Sequence, residues 1–365
     1  MTPRIIATGS CVPDKVVTND DLARSMDTND EWIRTRTGIG ARRIAEGEPK
    51  EKLLRLTREA AERALASAEA QYGEQGFSRQ DIGLVIVATC TPDMAFPATA
   101  CRLQAALSIE RAAAFDLSLA CTGFLAALST AFAYIRSGQC KTALVVGADV
   151  MSRMIDWSDR STAVLFGDGA GAVLVSGDDR FLEKLSGMQK DTAAEEDCAS
   201  EGPVTEAKAA DHSRLQKTED AELPLFRLIS DGSGAESLYC RSMFFNEAEL
   251  QREFMDGRKV FEFAVRKVPE IIGEVLLSAS LKREDVKLYI LHQANYRIIE
   301  AVAKRFKEPI EKFPHNIERY GNTTAGSIPI LLDELNREGR LQRGDLLCLS
   351  GFGAGLSYGA ALLRW

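Results

Sequence analysis

The hydrophobic and polar positions of this chain follow a pattern that is written twice. An amphipathic stretch at about residues 51–69 predicts a helix and leads into Arg79-Gln-Asp81-Ile-Gly-Leu-Val-Ile-Val87. A second, at about 258–279, leads into Arg283-Glu-Asp285-Val-Lys-Leu-Tyr-Ile-Leu291. An Ala-rich apolar run from Phe124 to Ile135, closed by Gly138, predicts a buried helix, with a strand at Ala143–Gly147 after it. Its echo is a helix from Ile328 to Leu335 and a strand at Leu346–Leu349. Phe166 to Val175 and Gly351 to Leu363 then correspond as glycine-rich segments running into apolar strands. Apolar runs alternating with helices point to an α/β chain built from two duplicated halves, with mostly parallel sheets covered by helices.

Residues 178–222 break the pattern. Asp, Glu, Ala, Ser and Lys are frequent there and long aliphatic periodicity is absent, so the segment reads as an inserted, partly flexible surface excursion. The expected organisation is therefore an N-terminal half over 1–177, the insert over 178–222, and a C-terminal half over 223–365.

Composition narrows the class without naming a function. The chain has 365 residues, 45% hydrophobic and 27% charged, which is ordinary for a soluble globular protein. No apolar run approaches the ~18 residues of a transmembrane helix, and Met1-Thr-Pro-Arg leads straight into Ile5-Ile6-Ala7, so no membrane is expected and the cytoplasm is the default compartment. The formal charge of −8 argues against general nucleic-acid binding. Eight cysteines without a CxxC pair suit reduced thiols, with no metal site expected.

Three separated segments carry the chemistry: Asp116-Leu-Ser-Leu-Ala-Cys121-Thr-Gly-Phe124, His292-Gln-Ala-Asn295, and Gly321-Asn322-Thr-Thr-Ala-Gly326. Cys121 opens the Ala-rich helix, a placement that favours the thiolate. His292 follows the strand Leu288–Leu291, and Asn322 precedes the helix from Ile328, so both are expected on strand-to-helix turns facing a common crevice. Under the internal repeat Cys121 and Asn322 hold comparable helix-start positions, which puts the site between the halves. Cys, His and Asn form a recognised acyl-transfer set. Taken singly, Cys121 also fits a buried structural thiol and Asn322 a turn residue. Of the other two histidines, His212 falls in the polar insert and His315 in the loop Phe313-Pro-His-Asn316.

Together with Asn29-Asp-Glu-Trp32-Ile-Arg-Thr-Arg36-Thr-Gly-Ile39, Ala95-Phe96-Pro97, Asp159-Arg160, Phe166-Gly-Asp-Gly-Ala-Gly171 and Gly351-Phe-Gly-Ala-Gly355, these segments resemble β-ketoacyl-acyl-carrier-protein synthase III, the initiating condensing enzyme of the thiolase-like superfamily. The resemblance covers nearly the whole chain except 178–222. It departs at Leu291, where the family usually has Pro, and at Ala354, where some relatives have Gly.

The resemblance implies a layered α-β-α-β-α thiolase-like fold. It also implies decarboxylative condensation of a short acyl-CoA primer with malonyl-acyl-carrier protein through a covalent acyl-Cys121 intermediate, with no cofactor. His292 and Asn322 would stabilise the enolate, and the backbone N–H groups of Cys121 and Ala354 the tetrahedral oxyanion. Trp32, Arg36 and Arg160 would line the CoA entrance, joined by Phe261, and Phe96 would reach into the acyl pocket of the other subunit of a homodimer. Arg297, Lys304 and Arg305 are candidates for carrier-protein docking, although a solvated helix face explains them equally. A specialised ketosynthase or acyltransferase of secondary metabolism on the same triad is the alternative. A thiolase is opposed by the absence of a second cysteine in Ser350-Gly-Phe-Gly353. A papain-like hydrolase is opposed by the duplicated halves, and a non-catalytic partner subunit by the retained Cys121. The two glycine runs lack GxGxxG spacing and read as tight turns with close backbone approach.

Overall fold

The computed structural model describes residues 2–73, 76–185, 223–241 and 252–365. Two sheets form its frame. The first has the order β1-β7-β6-β4-β5, from β1 (Arg4–Cys11), β4 (Ile82–Ala88), β5 (Ala113–Leu117), β6 (Thr142–Val150) and β7 (Asp168–Ser176). The second has the order β11-β12-β13-β8, from β8 (Leu225–Ser230), β11 (Leu288–Leu291), β12 (Leu346–Gly353) and β13 (Ser357–Arg364). Two short pairs, β2 (Val16–Thr18) with β3 (Ala41–Arg43) and β9 (Leu238–Cys240) with β10 (Glu253–Met255), stand outside them.

Side-chain alternation along the strands builds three layers of helix around these sheets. On β4, Leu84, Ile86 and Ala88 face the middle of the molecule, while Val85 and Val87 face the outer core that holds the helices Lys52–Tyr72 and Thr99–Ala106. On β12, Leu347 and Leu349 face the middle, and Leu346 and Cys348 face the helices Gly257–Ser278 and Tyr296–Phe306. The central layer is a pair of buried helices, Gly123–Arg136 and Ser327–Arg337, one from each half of the sequence. The Ala content of the first lets it sit between two sheets with apolar contacts all round. The result is the five-layer α-β-α-β-α arrangement.

Parallel pairing does not dominate, contrary to the expectation. Strands β4, β5 and β6 are parallel, as are β11 and β12, but β7 pairs antiparallel with β1 and β6, and β13 with β12 and β8. Parallel pairs occur where a helix carries the chain back across the sheet, and antiparallel pairs where β6 runs on to β7 and β12 to β13 without one.

The repeat is visible in the local geometry. Arg79–Asp81 and Arg283–Asp285 are both single helical turns, with the carboxylates of Asp81 and Asp285 accepting the N–H groups of Ser78 (2.8 Å) and Lys282 (2.7 Å). The correspondence runs without an insertion through the turns Ala120–Thr122 and Thr324–Gly326 to the strands that begin at Thr142 and Leu346. Both turns open on a left-handed residue, Ala120 (φ 42°) and Thr324 (φ 48°). Cys121 therefore matches Ala325, and Asn322 lies three positions earlier in its turn.

The segment that interrupts the pattern does not begin on the surface. Phe181 and Leu185 are buried in the outer core of the first half, with Phe181 edge-on to Tyr72 (4.9 Å between centroids) and beside Phe77 (5.9 Å). Residues 186–222, with Cys198 and His212, lie outside the described residues.

Candidate active site

Cys121, His292 and Asn322 line the inner end of one cavity of about 290 Å³. Each is held there by a separate element. Cys121 occupies the helical turn Ala120–Thr122 that leads into Gly123–Arg136, and its residue is 7% exposed. Gly353, at the end of β12, packs directly on it: a Cβ at Gly353 would lie 3.0 Å from the Cys121 nitrogen. The following turn is tied to the same place, because the Ser357 hydroxyl donates to the Ala354 carbonyl (2.9 Å) and lies 2.6 Å from the Thr122 hydroxyl.

His292 leaves β11 with its N–H bonded to the Ser350 carbonyl (2.8 Å), and its ring stands edge-on to Phe352. Nδ1 is 2.7 Å from the Ser327 hydroxyl, which also reaches the Thr324 carbonyl at 2.8 Å. That hydroxyl has one proton. When the proton points at Nδ1, the imidazole carries its own proton on Nε2 and is a donor to the cavity; when it points at the carbonyl, Nε2 is a bare acceptor.

Asn322 stands on a helix-to-helix turn, after the short turn Ile317–Tyr320, and not on the expected strand-to-helix turn. Its backbone is instead pinned to the Phe166 segment: its N–H donates to the Leu165 carbonyl (2.8 Å) and its carbonyl accepts the Gly167 N–H (3.0 Å). The side-chain oxygen accepts the Thr324 N–H (2.9 Å), which leaves the NH2 end for the cavity. Asp149, buried at the end of β6, accepts from the hydroxyls of Thr89 (3.0 Å) and Thr91 (2.9 Å), the Cys90 N–H (2.8 Å), and the Thr324 hydroxyl. It ties the turn carrying Asn322 to the first sheet. The glycines of the Phe166–Gly171 run are close-approach positions within a strand and its lead-in, not tight turns. A Cβ at Gly167 would meet the Tyr320 carbonyl at 2.2 Å, and one at Gly171 the Ile330 nitrogen at 2.6 Å.

Burial dominates the electrostatics. It pushes the Cys121 thiol well above its ordinary pKa, reinforced by the Glu253 and Asp149 carboxyls, so the free site holds a thiol and not the thiolate expected from the helix N-terminus. Burial also pushes His292 down to about 3, so its imidazole is neutral. Glu253 is pushed up to about 8, by burial first and Asp149 second.

The outer end of the cavity carries the residues expected at a CoA entrance. The Arg36 guanidinium lies 4.8 Å from the Trp32 ring centroid and that of Arg160 5.1 Å from it, and all three line the cavity with Phe261. Arg297, exposed on the first turn of Tyr296–Phe306, lies over Phe261 at 5.4 Å and so borders the mouth. Lys304 and Arg305 are exposed in the last turn of that helix, and Lys304, seven residues on from Arg297, falls on the same helix face about two turns away. Phe96 lines neither cavity of its own chain: it is 85% exposed on the loop before the helix Thr99–Ala106.

A second cavity, about 600 Å³, opens on the other side of Cys121 and is walled by Pro92, Met151, Met154, Leu238 and Tyr239, with Cys90, Glu253 and Ala354. Sequence reading missed Ser327, Asp149 and Glu253. Asp149 had a signal, a charge ending an otherwise apolar strand; the other two sit in segments with no distinguishing pattern.

Comparison with known proteins identifies the family. The model described as 3-oxoacyl-[acyl-carrier-protein (ACP)] synthase III matches residues 115–189, and its C-terminal counterpart matches 276–365. The chain is 43% identical to a beta-ketoacyl-[acyl-carrier-protein] synthase III 1 of Bacillus anthracis, over 100% of this chain and 99% of the relative. It is 42% identical to the synthase III of Synechococcus elongatus, over 99% and 96%. The crystal structure of 3-oxoacyl-[acyl-carrier-protein] synthase III from Aquifex aeolicus superposes with a TM-score of 0.81 at 40% identity, covering 100% of both chains. The chain belongs to the β-ketoacyl-acyl-carrier-protein synthase III family.

Proposed function

We propose that this chain initiates fatty-acid synthesis by condensing a short acyl-CoA with malonyl-acyl-carrier protein to give 3-oxoacyl-acyl-carrier protein. One observation carries the reading: Cys121, His292 and Asn322 share the inner end of a cavity whose outer end holds Trp32, Arg36 and Arg160. In the first half-reaction the Cys121 sulfur attacks the thioester carbon, the C–S bond to CoA breaks, and the Cys121 proton leaves with CoA as its thiol. Neutral His292 suits a proton relay from a thiol, since no preformed ion pair has to be dismantled.

In the second half-reaction the malonyl C–C bond breaks, CO2 departs, and the electron pair develops as an enolate. His292 Nε2–H and the Asn322 NH2 donate to the enolate oxygen. The enolate carbon then bonds the acyl carbon, the C–S bond to Cys121 breaks, and the sulfur takes up a proton from solvent that replaces the one lost to CoA, with the backbone N–H groups of Cys121 and Ala354 as donors to the tetrahedral oxygen.

A cytoplasmic homodimer completes the reading. Among the described residues no helix is long and apolar enough to cross a membrane. Phe96, 85% exposed and lining neither of the two cavities at Cys121 in its own chain, is available to close the cavity of about 600 Å³ in a second copy. Arg297 is the docking cation best placed for a carrier protein at the mouth, with Lys304 and Arg305 as outlying contacts.

The test separates the two steps. Intact-mass measurement after incubation with acetyl- or butyryl-CoA should show one acyl adduct on the wild type and none on Cys121→Ser. His292→Ala and Asn322→Ala should lose malonyl decarboxylation by ~10²-fold or more, with a smaller loss of self-acylation. An undiminished adduct on Cys121→Ser overturns the nucleophile; equal losses in both steps overturn the enolate-donor roles.

A further inference from the structure

The mechanism above makes no use of Glu253. This residue sits on β10, its N–H bonded to the Met154 carbonyl (3.1 Å), and its side chain forms part of the wall of both cavities that meet at Cys121. One carboxyl oxygen, Oε2, is sealed from solvent and has no hydrogen-bond partner. Its chain neighbour Arg252 does not neutralise it, because that guanidinium pairs with Asp156 at 2.5 Å. The remaining wall of the inner cavity, of about 600 Å³, holds the apolar side chains of Pro92, Met151, Met154, Leu238 and Tyr239 together with Arg241, whose guanidinium lies 5.6 Å from the Tyr239 ring and is not ion-paired to Glu253. A buried carboxyl of this kind, close to a nucleophile and without a partner, is a polar group waiting for one that the substrate can bring.

Resting on the acyl-transferase reading, we propose that Glu253 determines primer specificity: the inner cavity selects a short acyl-CoA whose chain carries a hydroxyl group, which hydrogen-bonds the Glu253 carboxyl. The terminal torsion of a glutamate is broad, so a partial turn of the carboxyl brings its unpartnered oxygen to the cavity face. A hydroxyl is the matching group because it can donate to the carboxyl in either charge state, ionised or neutral, and accept from the neutral form. A plain alkyl chain fills the same cavity yet strands the carboxyl beside apolar atoms. Sites built around a buried polar group reject the analogue that lacks its partner more strongly than apolar pockets reject a change in size.

The experiment is competitive acylation at pH 7 by butyryl-CoA against 3-hydroxybutyryl-CoA and 4-hydroxybutyryl-CoA, read by intact mass on wild type, Glu253→Leu and Glu253→Gln. At least one hydroxyacyl probe should outcompete butyryl-CoA on the wild type by roughly 10-fold or more. Glu253→Leu should reverse that order, and Glu253→Gln, which keeps a hydrogen-bonding carbonyl, should preserve it in reduced form. The amide variant keeps the test decisive if the leucine variant does not fold. Equal or better use of butyryl-CoA by the wild type, or an unchanged ratio in the variant that folds, overturns the proposal while leaving thioester transfer intact. Acylation of the wild type by acetyl-CoA but by none of these probes overturns this proposal alone, and failure of acetyl-CoA as well overturns the acyl-transferase reading with it.

Discussion

At Cys121 two effects oppose each other, and their sizes decide the free enzyme's protonation state. A helix N-terminus favours a thiolate by about 0.3–1 kcal/mol at an exposed site and up to about 2 kcal/mol in a partly buried one. Removing the sulfur from water can raise a thiol by several pKa units, each about 1.4 kcal/mol. With the residue 7% exposed and the Glu253 and Asp149 carboxyls adding repulsion, burial wins. His292, lowered to about 3, supplies no imidazolium to reverse the balance. Alkylation of the free enzyme by iodoacetamide should therefore keep rising with pH through and beyond the ordinary thiol range, with no plateau between pH 6 and 8 and no inflection at the ordinary histidine value, ~6.5. A plateau already reached at pH 7 would mean that the thiolate is preformed. That Cys121, His292 and Asn322 would meet in one cavity was legible in the sequence because each sits in a recognisable segment. Their protonation states were not, because burial comes from elements far away along the chain.

Elements meet at the site with almost no room between backbones, and glycine makes that possible. Gly147 on β6 is as tight as Gly167: a Cβ there would lie 2.2 Å from the Ala325 carbonyl oxygen and 3.2 Å from the Phe124 Cβ. Neither the strand nor the turn Thr324–Gly326 can yield cheaply, since Asp149 holds the turn to the same strand. Gly147→Ala should therefore destabilise the protein by about 1–3 kcal/mol and displace the Asn322 turn. The expected signature is a lower melting temperature, with malonyl decarboxylation impaired more than Cys121 acylation. Equal loss of both steps would show that Gly147 supports the fold without setting Asn322. The duplicated strand and helix patterns were readable from periodicity, and the paired turns at Arg79–Asp81 and Arg283–Asp285 bear that out. The offset between Cys121 and Asn322 was hidden. It depends on the left-handed residues Ala120 and Thr324, which carry no glycine signal, and on the second half lacking a counterpart to β5 among the described residues.

Across the whole molecule, the two halves share one central helical layer, and the chain between them begins inside the first half's core. Composition suggested a surface insert from residue 178, because Phe181, Leu182 and Leu185 make up one short apolar cluster in a polar stretch, too brief for the periodicity to extend. The burial of Phe181 and Leu185 beside Tyr72 and Phe77 divides the segment in two. Residues up to Leu185 contribute to stability, and Phe181→Ala should cost about 3–5 kcal/mol, the range for emptying a buried aromatic site. Residues 189–219 are rich in Asp, Glu, Ala, Ser and Lys, and loop closure depends only weakly on length, so their replacement by a Gly/Ser linker of about 12 residues should leave folding nearly unchanged. Urea unfolding of both variants tests the division, and acylation by acetyl-CoA tests whether the site survives. The linker variant should match the wild type in both, with any deficit confined to condensation with carrier-bound malonate. A linker variant that unfolds as readily as Phe181→Ala, or that no longer acylates, would make residues 189–219 part of the structural core or of the site.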